Sequence, residues 1–185
     1  MATPSRQYHN LALTGFMGAG KTTVGYFLAE LLRFELVDTD KVIEEQQGRR
    51  VSEIFAEQGE PAFRAMESKL VVDLGHRRDL IIATGGGLVL DPTNRAQLRE
   101  TSLIACLWAS PETIFERVRH QTHRPLLRGP DPLGKIRQLL EARAPIYREA
   151  DLLVGVDFRN PPDTARYIAE AFLNARRAHP PDEPA

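Results

Sequence analysis

The 185-residue sequence has a single cysteine, Cys106, which excludes an internal disulfide framework and any cysteine metal cluster and points to a reducing compartment. It has no excess of either charge. Its 24 Lys and Arg stand against 25 Asp and Glu, for a formal net charge of -1, so no global basic field exists to attract nucleic acid or an anionic membrane. No window approaches the roughly 18 apolar residues of a membrane span. Met1 to Asn10 is polar, without the apolar stretch of a signal peptide, and a cytoplasmic location is the expectation. No internal repeat occurs, and the one low-complexity stretch is the tail His179 to Ala185, too rich in proline to pack. One domain over 8–177 fits this length, with flexible tails at 1–7 and 178–185, and a monomer is expected. Cys106 lies in the apolar run Leu103 to Trp108 and reads as an inert core residue.

What is present begins with Gly15-Phe16-Met17-Gly18-Ala19-Gly20-Lys21-Thr22, a glycine followed after four residues by Gly-Lys-Thr. Phosphate oxygens need several backbone N-H donors converging on one concavity, and the glycines leave that space open. Lys21 can neutralise the β and γ phosphates, and the Thr22 hydroxyl offers a ligand to Mg²⁺, a hard cation that prefers oxygen. A helix starting near Gly20 adds its positive end. The apolar run Leu11 to Leu13 precedes the loop, helical spacing of Val24, Phe27, Leu28, Leu31 and Leu32 follows it, and Phe34 to Val37 is extended. A bound nucleoside triphosphate, contacted by Gly18, Ala19, Gly20, Lys21, Thr22 and Thr23, is the expectation, and the motif by itself specifies neither a second substrate nor a reaction.

Apolar strand candidates begin near Leu11, Phe34, Leu80, Leu103 and Leu152, with helical periodicity between most of them. The near-continuous apolar runs suit a parallel sheet covered on both faces. Asp91-Pro92 and Ser110-Pro111 each place a capping side chain before a proline at the first helical position. Between them and the last strand, Gln121 to Pro132 carries arginines, prolines and little to bury. It reads as a mobile loop that closes over the triphosphate and excludes water.

Asp38-Thr39-Asp40 falls at the end of the second strand, the edge of an open α/β sheet where ligands collect. One carboxylate there can hold the hydration shell of Mg²⁺ while the other accepts a proton from an attacking hydroxyl. The alternative is that Asp40 caps a helix starting at Lys41, and Asp38 stays a metal candidate either way. Arg64 and Glu67 share one helical face, either as a surface ion pair or with Glu67 orienting the guanidinium towards a substrate carboxylate. Gly85-Gly86-Gly87 ends the third strand and suggests close backbone approach to a substrate rather than a simple turn. His120 and His123 lack an acidic companion at metal spacing, and Trp108 and Tyr147 read as packing residues.

Taken together these residues resemble the shikimate kinase family. The resemblance runs from about Asn10 to about Ala175 and rests on GFMGAGKTTVG at Gly15 to Gly25, DTD at Asp38 to Asp40, FRAME at Phe63 to Glu67, GGG at Gly85 to Gly87, RPLL at Arg124 to Leu127 and RAPIYREAD at Arg143 to Asp151. Only the first motif is generic to P-loop proteins. The resemblance implies a three-layer α/β/α P-loop NTPase fold with a five-stranded parallel sheet, a mobile lid at 119–132 and a helical substrate-binding region. It implies transfer of the ATP γ-phosphoryl group to the 3-hydroxyl of shikimate, with Mg²⁺ on Thr22 and, through water, on Asp38. By that analogy Asp40, Arg64, Gly85, Gly86, Gly87 and Arg143 surround shikimate, with Asp40 as base and the two arginines on the carboxylate. Lys21 and Arg124 stabilise the transferring phosphoryl group, and Arg119 with Arg159 and Pro161 lines the adenine pocket. Gluconate kinase and a non-catalytic ATP-dependent binding protein are the competing readings.

Overall fold

A computed structural model of the chain describes residues 6–120 and 130–179. At its centre lies β1 (Asn10–Gly15), buried along its whole length. Its apolar residues face helices on both sides of the sheet, which is why the strand shows no polar alternation. At its start, buried Asn10 is paid for by two bonds: its Nδ2 donates to the Arg77 carbonyl at 2.9 Å and its Oδ1 accepts from Leu80 N at 3.0 Å.

Around β1 the sheet has the order β2-β3-β1-β4-β5 and every pairing is parallel. The partners are β2 (Glu35–Asp38), β3 (Leu80–Ala83), β4 (Ser102–Trp108) and β5 (Leu152–Gly155). Parallel strands need crossovers, here made by α1 (Lys21–Leu32), α2 (Thr39–Gln47), α3 (Val51–Gly75), α4 (Pro92–Thr101), α5 (Pro111–Val118) and α6 (Pro132–Tyr147), with α7 (Pro161–Ala178) closing the fold. Helix α1 packs on α7, α3 on α4 and α5 on α6. These contacts bury Leu28, Leu74, Leu98, Ile114, Ile136 and Phe172 with the strands. The expected three-layer architecture and five parallel strands are therefore present, and Cys106 is buried in β4.

Helix starts follow local chemistry. Asp91 accepts from the N-H groups of Thr93 and Asn94, and Ser110 from that of Thr113, each ahead of a proline at the first turn, as the sequence suggested. Asp131-Pro132 and Asn160-Pro161 open α6 and α7 in the same way. The alternative of Asp40 as a cap is not realised: helix α2 begins at Thr39, and its cap is Asp38, which accepts from Lys41 N at 3.4 Å. Asp40 is thus inside the first helical turn rather than a cap for Lys41. Of the expected lid, α6 already begins at Pro132, and 121–129 lies outside the described residues, as do 1–5 and 180–185 of the tails.

Helix α3 contains one break, at Gly59 (φ 81°, ψ 167°), just before Pro61. Proline has no backbone N-H to donate and crowds the preceding turn, so the axis bends there and Arg64 and Glu67 belong to the second limb.

Because all strands run one way, their C-terminal ends share an edge, and the segments after β1, β2 and β3 emerge side by side. The chain leaves β1 at Gly15 with φ 127°, where a Cβ would run into the backbone carbonyl of Leu107. Gly15→Ala is expected to destabilise the protein by about 1–3 kcal/mol from backbone strain alone, with the clash added. A thermal melt within a degree of the parent would contradict that account.

Candidate active site

A cavity of about 500 Å³ opens at this edge, lined by the loop 17–20, by Lys21, Thr22 and Thr23 of α1, and by Asp38, Asp40, Thr84 and Gly86. Gly20 caps α1 in the left-handed region (φ 98°), and no side chain caps that helix. The positive end of α1 therefore faces the cavity, where an anion would meet its first-turn amides. Lys21 Nζ bends back over the loop and donates to the carbonyls of Gly15 at 2.9 Å and Phe16 at 3.0 Å. Thr22 Oγ1 donates to Asp38 Oδ2 at 2.7 Å, which brings the hydroxyl and carboxylate singled out for a metal together.

The far wall of the cavity is formed by Arg117, Val156, Arg159, Pro161 and Thr164. Arg117 donates to the carbonyls of Gly18 at 3.2 Å, Ala19 at 3.3 Å and Val156 at 3.2 Å, tying the glycine loop to the segment after β5. Arg119, the residue expected in this wall, instead caps the end of α5, pairs with Glu116 at 3.1 Å and does not line the cavity. Helical geometry explains the difference. Ile114 and Val118 form the buried seam of α5. At about 100° per residue, position 117 flanks that seam, and position 119 points well away from it. Arg159 does line the wall, its guanidinium 4.7 Å from the centre of the Tyr167 ring. Arg124 lies outside the described residues.

On the other side of Asp40 the three glycines act through the space they leave. A Cβ on Gly85 would strike Asp40 Oδ1 and come within 3.0 Å of Glu67 Oε1, and one on Gly87 would lie 2.5 Å from both terminal nitrogens of Arg64. Gly86 contributes its carbonyl, which accepts from Arg143 Nη1 at 3.2 Å and from Tyr147 Oη at 3.3 Å. The turn thus gathers Asp40 from α2, Arg64 and Glu67 from α3, and Arg143 from α6. Arg64 and Arg143 meet this turn without lining the 500 Å³ cavity, whereas Asp40 and Gly86 belong to both groups. Tyr147 is buried in the core beside Trp108, the packing residue the sequence suggested, but its contact with Gly86 was not legible because the neighbour of its hydroxyl is 61 residues away. The signal it did carry was its position one helical turn after Arg143.

Arg64 is held from two sides: Nη1 donates to Glu67 at 2.6 Å, while Nη2 and Nε donate to Glu60 at 2.7 and 3.1 Å. The Glu67 side chain has no solvent exposure, so the pair is not the surface ion pair weighed from the sequence. Burial pushes its carboxyl up to about 7 from 4.5, against the lowering effect of Arg64 and with a further upward push from the negative charge of Asp40. Its Oε1 has no hydrogen-bond partner among the described residues.

Folding therefore raises this acid, and the folded state retains a proton that the unfolded chain gives up between pH 4.5 and about 7. The stability that Glu67 contributes is full below the lower value and is lost as pH rises through the upper one. Melting temperature measured across that window should fall less steeply in Glu67→Gln than in the parent. Parallel pH profiles for the two proteins would rule this out.

Comparison with known proteins agrees with the geometry. The sequence model of the family described as "Shikimate kinase" matches residues 17–174. A shikimate kinase of Caldanaerobacter subterraneus subsp. tengcongensis is 42% identical over 167 residues, covering 90% of this chain and 98% of its own. Among solved structures, a shikimate kinase from Acinetobacter baumannii in complex with shikimate superposes with a TM-score of 0.85 at 38% identity, covering 90% of this chain and 94% of the other. A gluconokinase from Sinorhizobium meliloti reaches only 0.55 at 19% identity, with 94% and 95% covered, and shares the fold alone. With a matching family model, extensive sequence identity and a fold whose ligand edge carries every described motif, the chain belongs to the shikimate kinase family.

Proposed function

We propose that this chain transfers the γ-phosphoryl group of ATP to the 3-hydroxyl of shikimate, giving shikimate 3-phosphate and ADP on the route to chorismate and the aromatic amino acids. The observation that carries this reading is the glycine turn. It brings two arginines and an aspartate beside the phosphate loop, the charge pattern needed by a small hydroxylated carboxylic acid. A related protein, that of Acinetobacter baumannii, has been solved with shikimate bound.

In this mechanism Arg64 and Arg143 clamp the carboxylate of the acceptor, with the backbone of Gly85, Gly86 and Gly87 packed against it. Planar guanidinium groups suit that task because they fix the acid by geometry as well as charge. Asp40 then faces the ring hydroxyls. As the 3-hydroxyl oxygen bonds to the γ phosphorus and the bond to the β-phosphate oxygen breaks, the hydroxyl proton passes to the Asp40 carboxylate and ADP departs with the electron pair.

Phosphoryl transfer has a loose transition state, so cations and positioning supply most of the acceleration. Lys21 leaves the loop carbonyls to meet the β and γ phosphates, and Arg124 assists by the family resemblance. The amides of Gly18, Ala19, Gly20, Thr22 and Thr23 hold the triphosphate. Arg117, Arg159 and Pro161 flank the nucleoside, and Arg119 is relieved of that role. The oxygen pair of Thr22 and Asp38 fits a hard cation that keeps most of its waters, and the 2.7 Å contact between them already brings the donors together. Thr22 and Asp38 would hold Mg²⁺ there, and the ion would supply charge neutralisation at the phosphates. Among the described residues no helix is long and apolar enough to cross a membrane. The protein is read as a cytoplasmic monomer.

A coupled ADP-release assay with Mg-ATP and shikimate, quinate or gluconate tests the reading, with turnover expected for shikimate. Folded protein that turns over gluconate but not shikimate would overturn it. In the same assay Arg64→Ala should raise the KM for shikimate at least about tenfold while moving that for ATP less than about twofold, since loss of a charged hydrogen-bond pair costs about 1.5–3 kcal/mol. Equal rises for both substrates would remove Arg64 from the carboxylate clamp.

A further inference from the structure

Asp157 lies in the connection between β5 and α7, directly after buried Val156. Its Oδ1 accepts from Ser110 N and from Ser110 Oγ, both at 2.9 Å, and its Oδ2 accepts from Ser110 N at 3.2 Å. Ser110 is the cap of α5, so a carboxylate from one segment is fastened to the first turn of another 47 residues away. Burial opposes ionisation of Asp157, yet the hydrogen bonds from Thr113 and Ser110 and the charge of Arg117 outweigh it and hold the carboxyl below its usual range.

Helix capping does not account for this contact. Ser110 Oγ already accepts from Thr113 N at 3.2 Å, and Thr113 Oγ1 lies 2.9 Å from the same hydroxyl, so α5 has its cap without Asp157. The carboxylate instead pins the start of α5 to the β5–α7 connection, while near the end of α5 Arg117 reaches the Val156 carbonyl at 3.2 Å. These two segments are the two sides of the far cavity wall, Arg117 on one and Val156, Arg159, Pro161 and Thr164 on the other.

We propose that Asp157 is a positioning residue for the nucleoside end of ATP: by fastening Ser110 it sets the separation of α5 from the β5–α7 connection, and hence the width of the slot that takes the base. The inference rests on the nucleotide reading above but not on the identity of the acceptor. Asp157 bonds Ser110 and not the glycine loop, so its effect falls first on the base and ribose and reaches the phosphate loop only through Arg117.

The test compares the parent with Asp157→Asn and Asp157→Glu by calorimetric titration of the full chain with Mg-ADP and, separately, with tripolyphosphate, which carries no base. Asparagine loses the charge and one acceptor, and glutamate keeps the charge but lengthens the tie. Both should bind ADP about tenfold more weakly, the loss expected for strained charge-assisted hydrogen bonds, with tripolyphosphate affinity held close to the parent. Steady-state assays should show the same split, with KM for ATP raised and kcat at saturating ATP unchanged. Equal weakening towards both ligands would mark a merely structural residue and overturn the proposal. So would unchanged ADP binding, or a glutamate variant that binds ADP like the parent, since the proposal depends on the length of the tie. A protein inactive on shikimate but showing the ADP-selective loss would retain this inference while rejecting the acceptor.

Discussion

The site depends on where β1 ends. Its register with β4 runs from Asn10 opposite Ser102 to Gly15 opposite Leu107, and at that last pair the chain must leave the sheet past a neighbouring carbonyl. Any Cβ at Gly15 would push the loop off the sheet edge, and the loop that follows is held by contacts only a few ångströms long. Lys21 reaches the carbonyls of Gly15 and Phe16, and Arg117 reaches those of Gly18 and Ala19. The concavity for phosphate is therefore positioned by the strand and then held by cations from two helices. A displacement of the strand end would be felt at every one of these contacts, because each is a hydrogen bond whose strength falls steeply with distance and angle.

A second constraint is the burial of Glu67. A fully buried carboxylate facing one arginine is costly to desolvate, and replacing such a pair with apolar side chains is often neutral for stability. The arrangement around it explains its presence differently. Glu67 and Glu60 together engage three of the five N-H groups of Arg64, leaving two for a ligand, and Gly87 leaves the terminal nitrogens uncovered. The negative charges that orient Arg64 also set a limit on the site. Asp40 lies close enough for its negative charge to add to the upward push that burial gives the Glu67 carboxyl.

Much of this was legible from residue order, because the relevant signals are local. Strand, glycine loop and helix follow one another within 23 residues, from Asn10 to Leu32, Asp38 and the triple glycine fall where a strand ends, and Arg64 shares a helical face with Glu67. Which of the two aspartates caps α2 was not legible, since Asp38 and Asp40 carry the same chemistry and only backbone geometry distinguishes them. The far wall was less legible. Arg117 and Arg119 are two positions apart with the same side chain, and the choice between them turns on the phase of a short helix. Tyr147 and Asp157 meet partners 61 and 47 residues away, and no short-range pattern encodes such pairings.

The two ends of the site differ in their physical means of control. At the glycine turn, Glu67 is fully buried and Asp40, Arg64 and Arg143 are half-buried, so their charges act through a poorly screened medium. At the far wall, Arg117 and Arg159 are exposed and screened by water and salt, and their main-chain and ring contacts do more than their charge. Discrimination by charge therefore belongs at the end that receives the acid, where an acceptor lacking its carboxylate would leave two half-buried arginines with an unmet demand. The nucleoside end works by shape, through the spacing of two segments that flank a flat base. A change of acceptor would thus require altered charges around Gly85 to Gly87, whereas a change of base could come from moving α5 by a fraction of an ångström.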